Sequence, residues 1–338
     1  MKRKQKIKRK QRMDEFKAAL EKCFTDFFAV VATDKSEWTV KGFIDIYKNI
    51  YTISTDTKVV SKIIELMIFP VLAKFATDNG YGMDLATHQN HYPDITFVHG
   101  KTGRKIALDL KSSYRTGPTR INELTLGAFT GYFRNRTSTK NITYPYSEYD
   151  AHYVLGIVYT KTDLFECERK FAEKGFTLNN NIRKALEDQL STPDDETEKT
   201  LLDALQKQMT ELSVSADVIL DIVAKSKLDE RKTYGLGDLS RIMSVVRDFK
   251  FFVQEKWRIA TDRPGSGNTK NIGSTAVIDE LLKGEGPFTK QKDGKALFDA
   301  YWQAYMTRDM AKALDMDDPP FKNIATYFQY IESLPKRK

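Results

Sequence analysis

Cysteine and histidine are scarce in this 338-residue chain: two of the first, Cys23 and Cys167, and four of the second. Two cysteines do not make a disulfide framework, so a reducing, cytoplasmic setting is the expectation. Four histidines leave little material for an imidazole metal centre. No apolar run is long enough to span a bilayer, and no apolar stretch follows the basic N-terminus as it would in a signal peptide. Internal repeats are absent, and so is the G-x-x-x-x-G-K-[ST] phosphate loop. A charge excess is also missing once the first twelve residues are set aside. Residues 1–12, MKRKQKIKRKQR, hold eight of the 54 Lys and Arg and none of the 46 Asp and Glu, which leaves 46 of each sign in the body. The net charge of +8 therefore gives no reason to expect a uniformly basic surface. The tail itself is expected to be disordered. It suits non-specific phosphate contact or nuclear localisation, and equally a solvated segment with no role.

The richest stretch runs from Gln89 to Tyr114. Asp94-Ile95-Thr96-Phe97-Val98 is β-prone, His99-Gly100-Lys101-Thr102-Gly103 is turn-like, and Lys105 to Leu110 alternates in character. The pattern predicts a β-hairpin. Period two puts Asp109 and Lys111 on one face of the second strand and Ile106, Leu108 and Leu110 on the other. Antiparallel pairing then folds Asp94 back towards Asp109, so two carboxylates and one ammonium share a small volume. Two hard carboxylates suit Mg²⁺, which keeps waters and accepts phosphate oxygens. Water activated there, next to a lysine, is a candidate nucleophile for phosphodiester hydrolysis. The lysine can also neutralise charge developing on the phosphate. Taken by its spacing alone, D-x-K on a strand fits an ordinary surface ion pair as well.

Pro93-Asp94 followed by Asp109-Leu110-Lys111 matches the PD-(D/E)xK nuclease signature. Several other runs agree in order with one branch of that superfamily. They are Gln89-Asn90-His91-Tyr92-Pro93-Asp94, Thr125-Leu126-Gly127, Lys140-Asn141-Ile142, Tyr144-Pro145, Ala151-His152 and Gly265-Ser266-Gly267-Asn268-Thr269-Lys270-Asn271-Ile272-Gly273-Ser274. Together they resemble the EcoRV-like type II restriction endonucleases over roughly residues 45–160 and 232–330.

The resemblance implies an α/β, restriction-endonuclease-like core: a mixed β-sheet flanked by helices, with an inserted helical subdomain. It implies a homodimer that hydrolyses double-stranded DNA with Mg²⁺ and has no membrane partner. Asp94, Asp109 and Lys111 would be catalytic, with Asp94 and Asp109 as metal ligands. Glu65, on a helix starting at Asp56-Thr57, would be an accessory metal or water ligand; by periodicity alone it belongs to a solvated stripe. Gln89 and Asn90 would approach the minor groove, where readout is degenerate. Gly265, Ser266, Gly267, Asn268, Thr269, Lys270 and Asn271 would form the major-groove recognition loop. Their chemistry suits that role, since glycines permit close backbone approach while Asn and Thr offer donors, acceptors and a methyl. The implied site is GATATC, cut bluntly at its centre. Arg263-Pro264 departs from the family pattern just before the loop.

Four segments are expected: the tail, 1–12; an N-terminal dimerisation region and catalytic core, 13–162; the insert, 163–231, with a helix starting at Pro193-Asp194-Asp195; and a recognition and C-terminal part of the same core, 232–338. Residues 13–33 have helical spacing. His152 to Tyr159 is expected to be a buried central strand in which His152 is structural. Phe251 to Ala260 is expected to be one strand delivering the recognition loop. Arg134, Arg136 and Lys140 suit phosphate contacts. Trp302 and Tyr305 would pack a C-terminal helix, and Lys336-Arg337-Lys338 would touch the DNA backbone. Two other readings stay open from the residues: a repair or junction nuclease of the same superfamily, and a DNA-binding protein that does not cut.

Overall fold

The computed structural model describes residues 2–53, 55–88, 90–162, 233–239, 244–265 and 268–335, with isolated positions 196, 199, 200, 203 and 242. Nearly all of the expected insert, its helix starting at Pro193-Asp194-Asp195, Gln89, Ser266, Gly267 and Lys336-Arg337-Lys338 lie outside these residues. So do the side chains of Asn268 and Thr269.

In chain order the elements are α1 (Lys2–Glu21), α2 (Phe24–Val31), β1 (Gly42–Ile44), β2 (Ile50–Thr52), α3 (Thr57–Asp78), β3 (Tyr81–Leu85), β4 (Ile95–His99), β5 (Lys105–Tyr114), β6 (Thr125–Ala128), β7 (Tyr149–Lys161), β8 (Thr233–Tyr234), β9 (Val246–Glu255), α4 (Lys256–Ile259), β10 (Ala260–Gly265), β11 (Asn268–Ser274), α5 (Ile278–Lys283), α6 (Gly294–Ala304), α7 (Arg308–Lys312) and α8 (Ile324–Ser333). They fall into two compact units, one of residues 1–30, 64–159 and 249–338, the other of residues 31–63 and 160–248.

The first unit is built on a five-stranded sheet ordered β3-β4-β5-β7-β9. β3, β4 and β5 pair antiparallel, and β5 pairs parallel with β7. The sheet is therefore mixed, as expected of a restriction-endonuclease-like core. β5 is central, and its residues Ile106 to Leu110 are all buried, because it has neighbours on both edges and layers on both faces. β7 occupies the interior position expected for the His152–Tyr159 run. His152 is structural as expected: it stacks on Tyr146 with ring centres 3.8 Å apart and shares a 3.0 Å hydrogen bond with the Tyr92 hydroxyl.

Residues 2–12, for which composition suggests disorder, are the first turns of α1 in the structure. Its anchor lies further along. Phe16 is 3% exposed and packs against Phe75, Tyr81, Phe97 and Tyr153, with ring centres 5.4–5.6 Å apart. Burying a phenylalanine contributes about 1.5–3 kcal/mol. Once that turn is fixed, Lys, Arg and Gln propagate a helix at little cost.

A smaller antiparallel sheet in the same unit is ordered β10-β11-β6. The single strand expected from Phe251 to Ala260 is broken by α4. The reason is topological: β9 belongs to the large sheet and β10 to the small one, so the chain must turn between them. Asp262 holds the small sheet from outside. Its backbone carbonyl accepts from the Tyr301 hydroxyl at 2.6 Å, and its carboxylate accepts from the Ile324 N–H at 3.0 Å, in the first turn of α8. Trp302 is buried on α6 as expected, and Tyr305 follows directly after that helix.

In the second unit, β1, β2 and β8 form a small antiparallel sheet. Asp45 shapes the turn between β1 and β2, accepting from the N–H groups of Tyr47 and Asn49 at 2.9 Å each. That hairpin exposes Phe43 (54%), Ile44 (58%), Ile46 (88%) and Tyr47 (79%). The helix start expected at Asp56-Thr57 is present. Asp56 caps α3 by accepting from the Lys58 and Val59 N–H groups at 2.8 and 3.2 Å, an arrangement that stabilises a helix by about 1 kcal/mol.

Candidate active site

The register of β4 on β5 builds the site. Ile95 lies opposite Leu108, so the residue before β4, Asp94, comes level with Asp109. A 2.6 Å hydrogen bond from the Leu110 N–H to the Asp94 carboxylate fixes that approach. Lys111 sits one pleat beyond Asp109, and its ammonium is 2.8 Å from the Asp109 carboxylate and 3.8 Å from that of Asp94. The side chains are 8% exposed for Asp109, 24% for Lys111 and 39% for Asp94. Asp109 is therefore the floor of the group, and Asp94 faces the opening.

The charges are unbalanced. Burial and the neighbouring Asp109 charge raise the Asp94 carboxyl from its ordinary 3.8 to about 7, against the opposing pull of Lys111 and the Leu110 N–H. Burial alone would lower the Lys111 amine, but Asp109 and Asp94 outweigh it and hold the ammonium up at about 12. Lys111 is thus a fixed cation at neutral pH. Glu65, on α3, adds to the field that keeps it charged.

These residues open onto a cavity of about 600 Å³. One wall carries Asn90, His91 and Tyr92; another is β6 with Thr125, Gly127 and Ala128, continued by Thr130, Tyr132, Asn135 and Lys140. Asn271 lines it too, which places one residue of the expected recognition loop at the same cavity as Asp94, Asp109 and Lys111. β11 reaches there because it pairs with β6, Asn271 opposite Ala128 and Gly273 opposite Thr125. Lys270 is exposed, and its carbonyl accepts from the Phe129 N–H. Gly265 is buried where β10 ends; a Cβ there would lie 2.8 Å from the Thr125 side chain, which would have to move to admit it.

Two of the three residues suited to phosphate contact are held by protein acceptors. Arg134 donates to the Tyr305 carbonyl. Arg136 binds Asp299 at 2.9 Å and stacks over Phe133 and Tyr146. Both tie the 130–141 loop to the C-terminal part of the chain, and each guanidinium also lies over a ring, Phe129 for Arg134 and Phe133 and Tyr146 for Arg136. Lys140 remains at the cavity. Lys256 is a residue that sequence reasoning misses. It is 2% exposed, behind the cavity wall, and nothing in E-K-W marks a lysine as buried.

The donor set fits a hard divalent cation. Two carboxylates meet there with one ammonium beside them, and a cation between them would offset both the burial and the mutual repulsion that raise the Asp94 carboxyl. No group of three or more His, Cys, Asp or Glu side chains that could hold a metal occurs among the described residues. The protein would thus supply two ligands and leave the rest of the shell to water and phosphate.

Comparison with known proteins gives the same direction. The family model "Restriction endonuclease EcoRV" matches residues 34–187 and 216–332. The match reaches into both ends of the expected insert and leaves residues 188–215 unmatched. The type II restriction enzyme EcoRV of Escherichia coli is 28% identical over 309 residues, covering 91% of this chain and 96% of the relative.

Proposed function

Because the chain belongs to the EcoRV restriction endonuclease family, we propose that it is a homodimeric, Mg²⁺-dependent site-specific deoxyribonuclease that cuts GATATC bluntly at its centre. The observation that carries the hydrolytic part is the Asp94–Asp109–Lys111 group at the floor of an open polar cavity. Asp94 and Asp109 would hold Mg²⁺, which when bound supplies Lewis acidity and charge neutralisation at the phosphate. Glu65, whose charge is felt at Lys111, would be an accessory metal or water ligand. The Leu110 N–H aims the Asp94 carboxylate. Lys111, 2.8 Å from Asp109 at the cavity, would stabilise negative charge growing on the phosphate oxygens. Asn90 and Gln89 would approach the minor groove.

Specificity is assigned to the β10–β11 hairpin and its tip, Gly265, Ser266, Gly267, Asn268, Thr269, Lys270 and Asn271. Asn268 would pair with adenine and Thr269 would meet a thymine methyl. A palindrome requires a twofold dimer with one hairpin per half-site. The apolar β1–β2 tip, with Ile46 and Tyr47 nearly bare, supports a self-associating surface on the second unit.

Digestion of a mixed-sequence plasmid with Mg²⁺ or with EDTA, followed by sequencing of the ends, tests the reading. Discrete fragments with flush GATATC ends are expected in Mg²⁺ and none in EDTA. Staggered ends or other sites would sink the specificity and leave the nuclease standing. Retardation of the plasmid without cutting would sink both.

A further inference from the structure

Lys256 is the first residue of α4, the turn that carries the chain from the large sheet into the recognition hairpin. Its side chain runs inward and is 2% exposed. The ammonium lies 5.2 Å from the ring centre of Tyr92 and 5.5 Å from that of Phe133. A Cβ on Gly127 would sit 3.5 Å from it. Gly127 and Tyr92 both line the cleavage cavity, so the charge is placed directly behind the cavity wall. It has no protein hydrogen-bond partner among the described residues.

That arrangement is costly. A buried cation is normally paired, and two ring faces only partly replace water. Asp109 favours the charged form, while Lys111 and Arg136 oppose it. Burial brings the amine down to about 8. A methionine has nearly the same length and would fill the space without the penalty. Retaining a cation there makes sense if negative charge arrives next to it, and a phosphodiester entering the cavity is such a charge. We propose that Lys256 is a positioning residue of the cleavage site, its ammonium a fixed positive charge behind Gly127 and Tyr92 that Asp109 and the incoming phosphate share. The inference rests on the nuclease reading above.

Lys256→Met separates this role from a structural one, because the two predict opposite signs for stability. The measurements are thermal melting and the kcat and KM for plasmid cleavage in Mg²⁺. The expected result is a melting temperature equal to or above wild type, kcat lower by about tenfold or more, and KM little changed. Lys256→Gln, polar but neutral, should be as slow as Lys256→Met. A Lys256→Met protein that melts lower or does not fold would show that the ammonium supports the structure and would overturn the proposal. Wild-type cleavage by either variant would overturn it too. If the wild-type protein leaves plasmid intact in Mg²⁺, the nuclease reading fails first and this inference falls with it.

Discussion

The molecule presents two hairpins to one cavity, and they are built differently. β4–β5 pairs in unbroken register from Ile95–Leu108 to Val98–Lys105, and it is enclosed by β3 on one side and β7 on the other. β10–β11 shifts register between Ala260 and Pro264 and again between Pro264 and Gly265, and its pairing with β6 is also irregular. The first hairpin has to hold three charged groups at fixed separations. The second, under the function proposed above, would bring backbone and short side chains against base edges, and bulges and glycines let a strand bend to do so. One is designed around distance and the other around shape.

That contrast can be broken most severely at the first hairpin. Asp109→Ala should lower plasmid cleavage by about 10³-fold or more while the protein stays folded by circular dichroism. Near-normal cutting in Mg²⁺ would remove Asp109 from the site. At the second hairpin, Asn268→Ala should instead change the ratio of cutting at GATATC to cutting at sites differing by one base pair. The expected loss of discrimination is about 1–3 kcal/mol, with the residual reaction still Mg²⁺-dependent. A uniform fall at all sites would show that the two hairpins are not separable in this way.

The pH response sharpens the comparison, because it belongs to the first hairpin alone. With its carboxyl at about 7 in the metal-free site and 3.8 ordinarily, Asp94 holds a proton in the folded state that the unfolded chain has lost. Metal-free stability should therefore decline as pH rises between these values. Metal binding must displace that proton. Its apparent affinity, followed by calorimetry with Ca²⁺, should rise about tenfold per pH unit below about 7 and flatten above. A flat profile from pH 5 to 8 would contradict the repulsion described between the two aspartates.

The smallest effect is expected outside both hairpins. Deleting residues 2–12 should reduce the salt dependence of non-specific DNA binding, by about 0.9 in slope for each phosphate that this segment neutralises. Arg9 already donates to the Tyr149 carbonyl and pairs with Asp150 at 3.4 Å, so fewer than all eight basic residues should count. Sequence preference should persist, and an unchanged slope would mean that α1 does not reach DNA.

The different legibility of the site follows from the same contrast. Period two and one antiparallel turn are enough to bring Asp94, Asp109 and Lys111 together, because strand register is a local rule. The Asp56 cap and the buried β7 run are legible for similar reasons. Lys256 is not, since its burial depends on Gly127, Tyr92 and Phe133, which arrive from distant parts of the chain. Arg134 and Arg136 mislead because a basic residue in a polar loop looks free until Tyr305 and Asp299 are seen beside it. The helical course of residues 2–12 is hidden by composition: lysine and arginine suggest solvation, and the packing of Phe16 that supports the helix lies beyond them.

The pairing of β11 with β6 bears on how such an enzyme could acquire a new target sequence. A recognition loop looks like a cassette, to be exchanged between Ala260 and Ser274. In the hairpin proposed for that role, the trailing strand pairs with β6 and also lines the cavity through Asn271, opposite Ala128. A transplanted loop would carry its own chamber wall with it. Evolution of specificity on this scaffold is then bound to evolution of rate, and variants with a new site should first appear as slow enzymes that recover speed through later changes in β6.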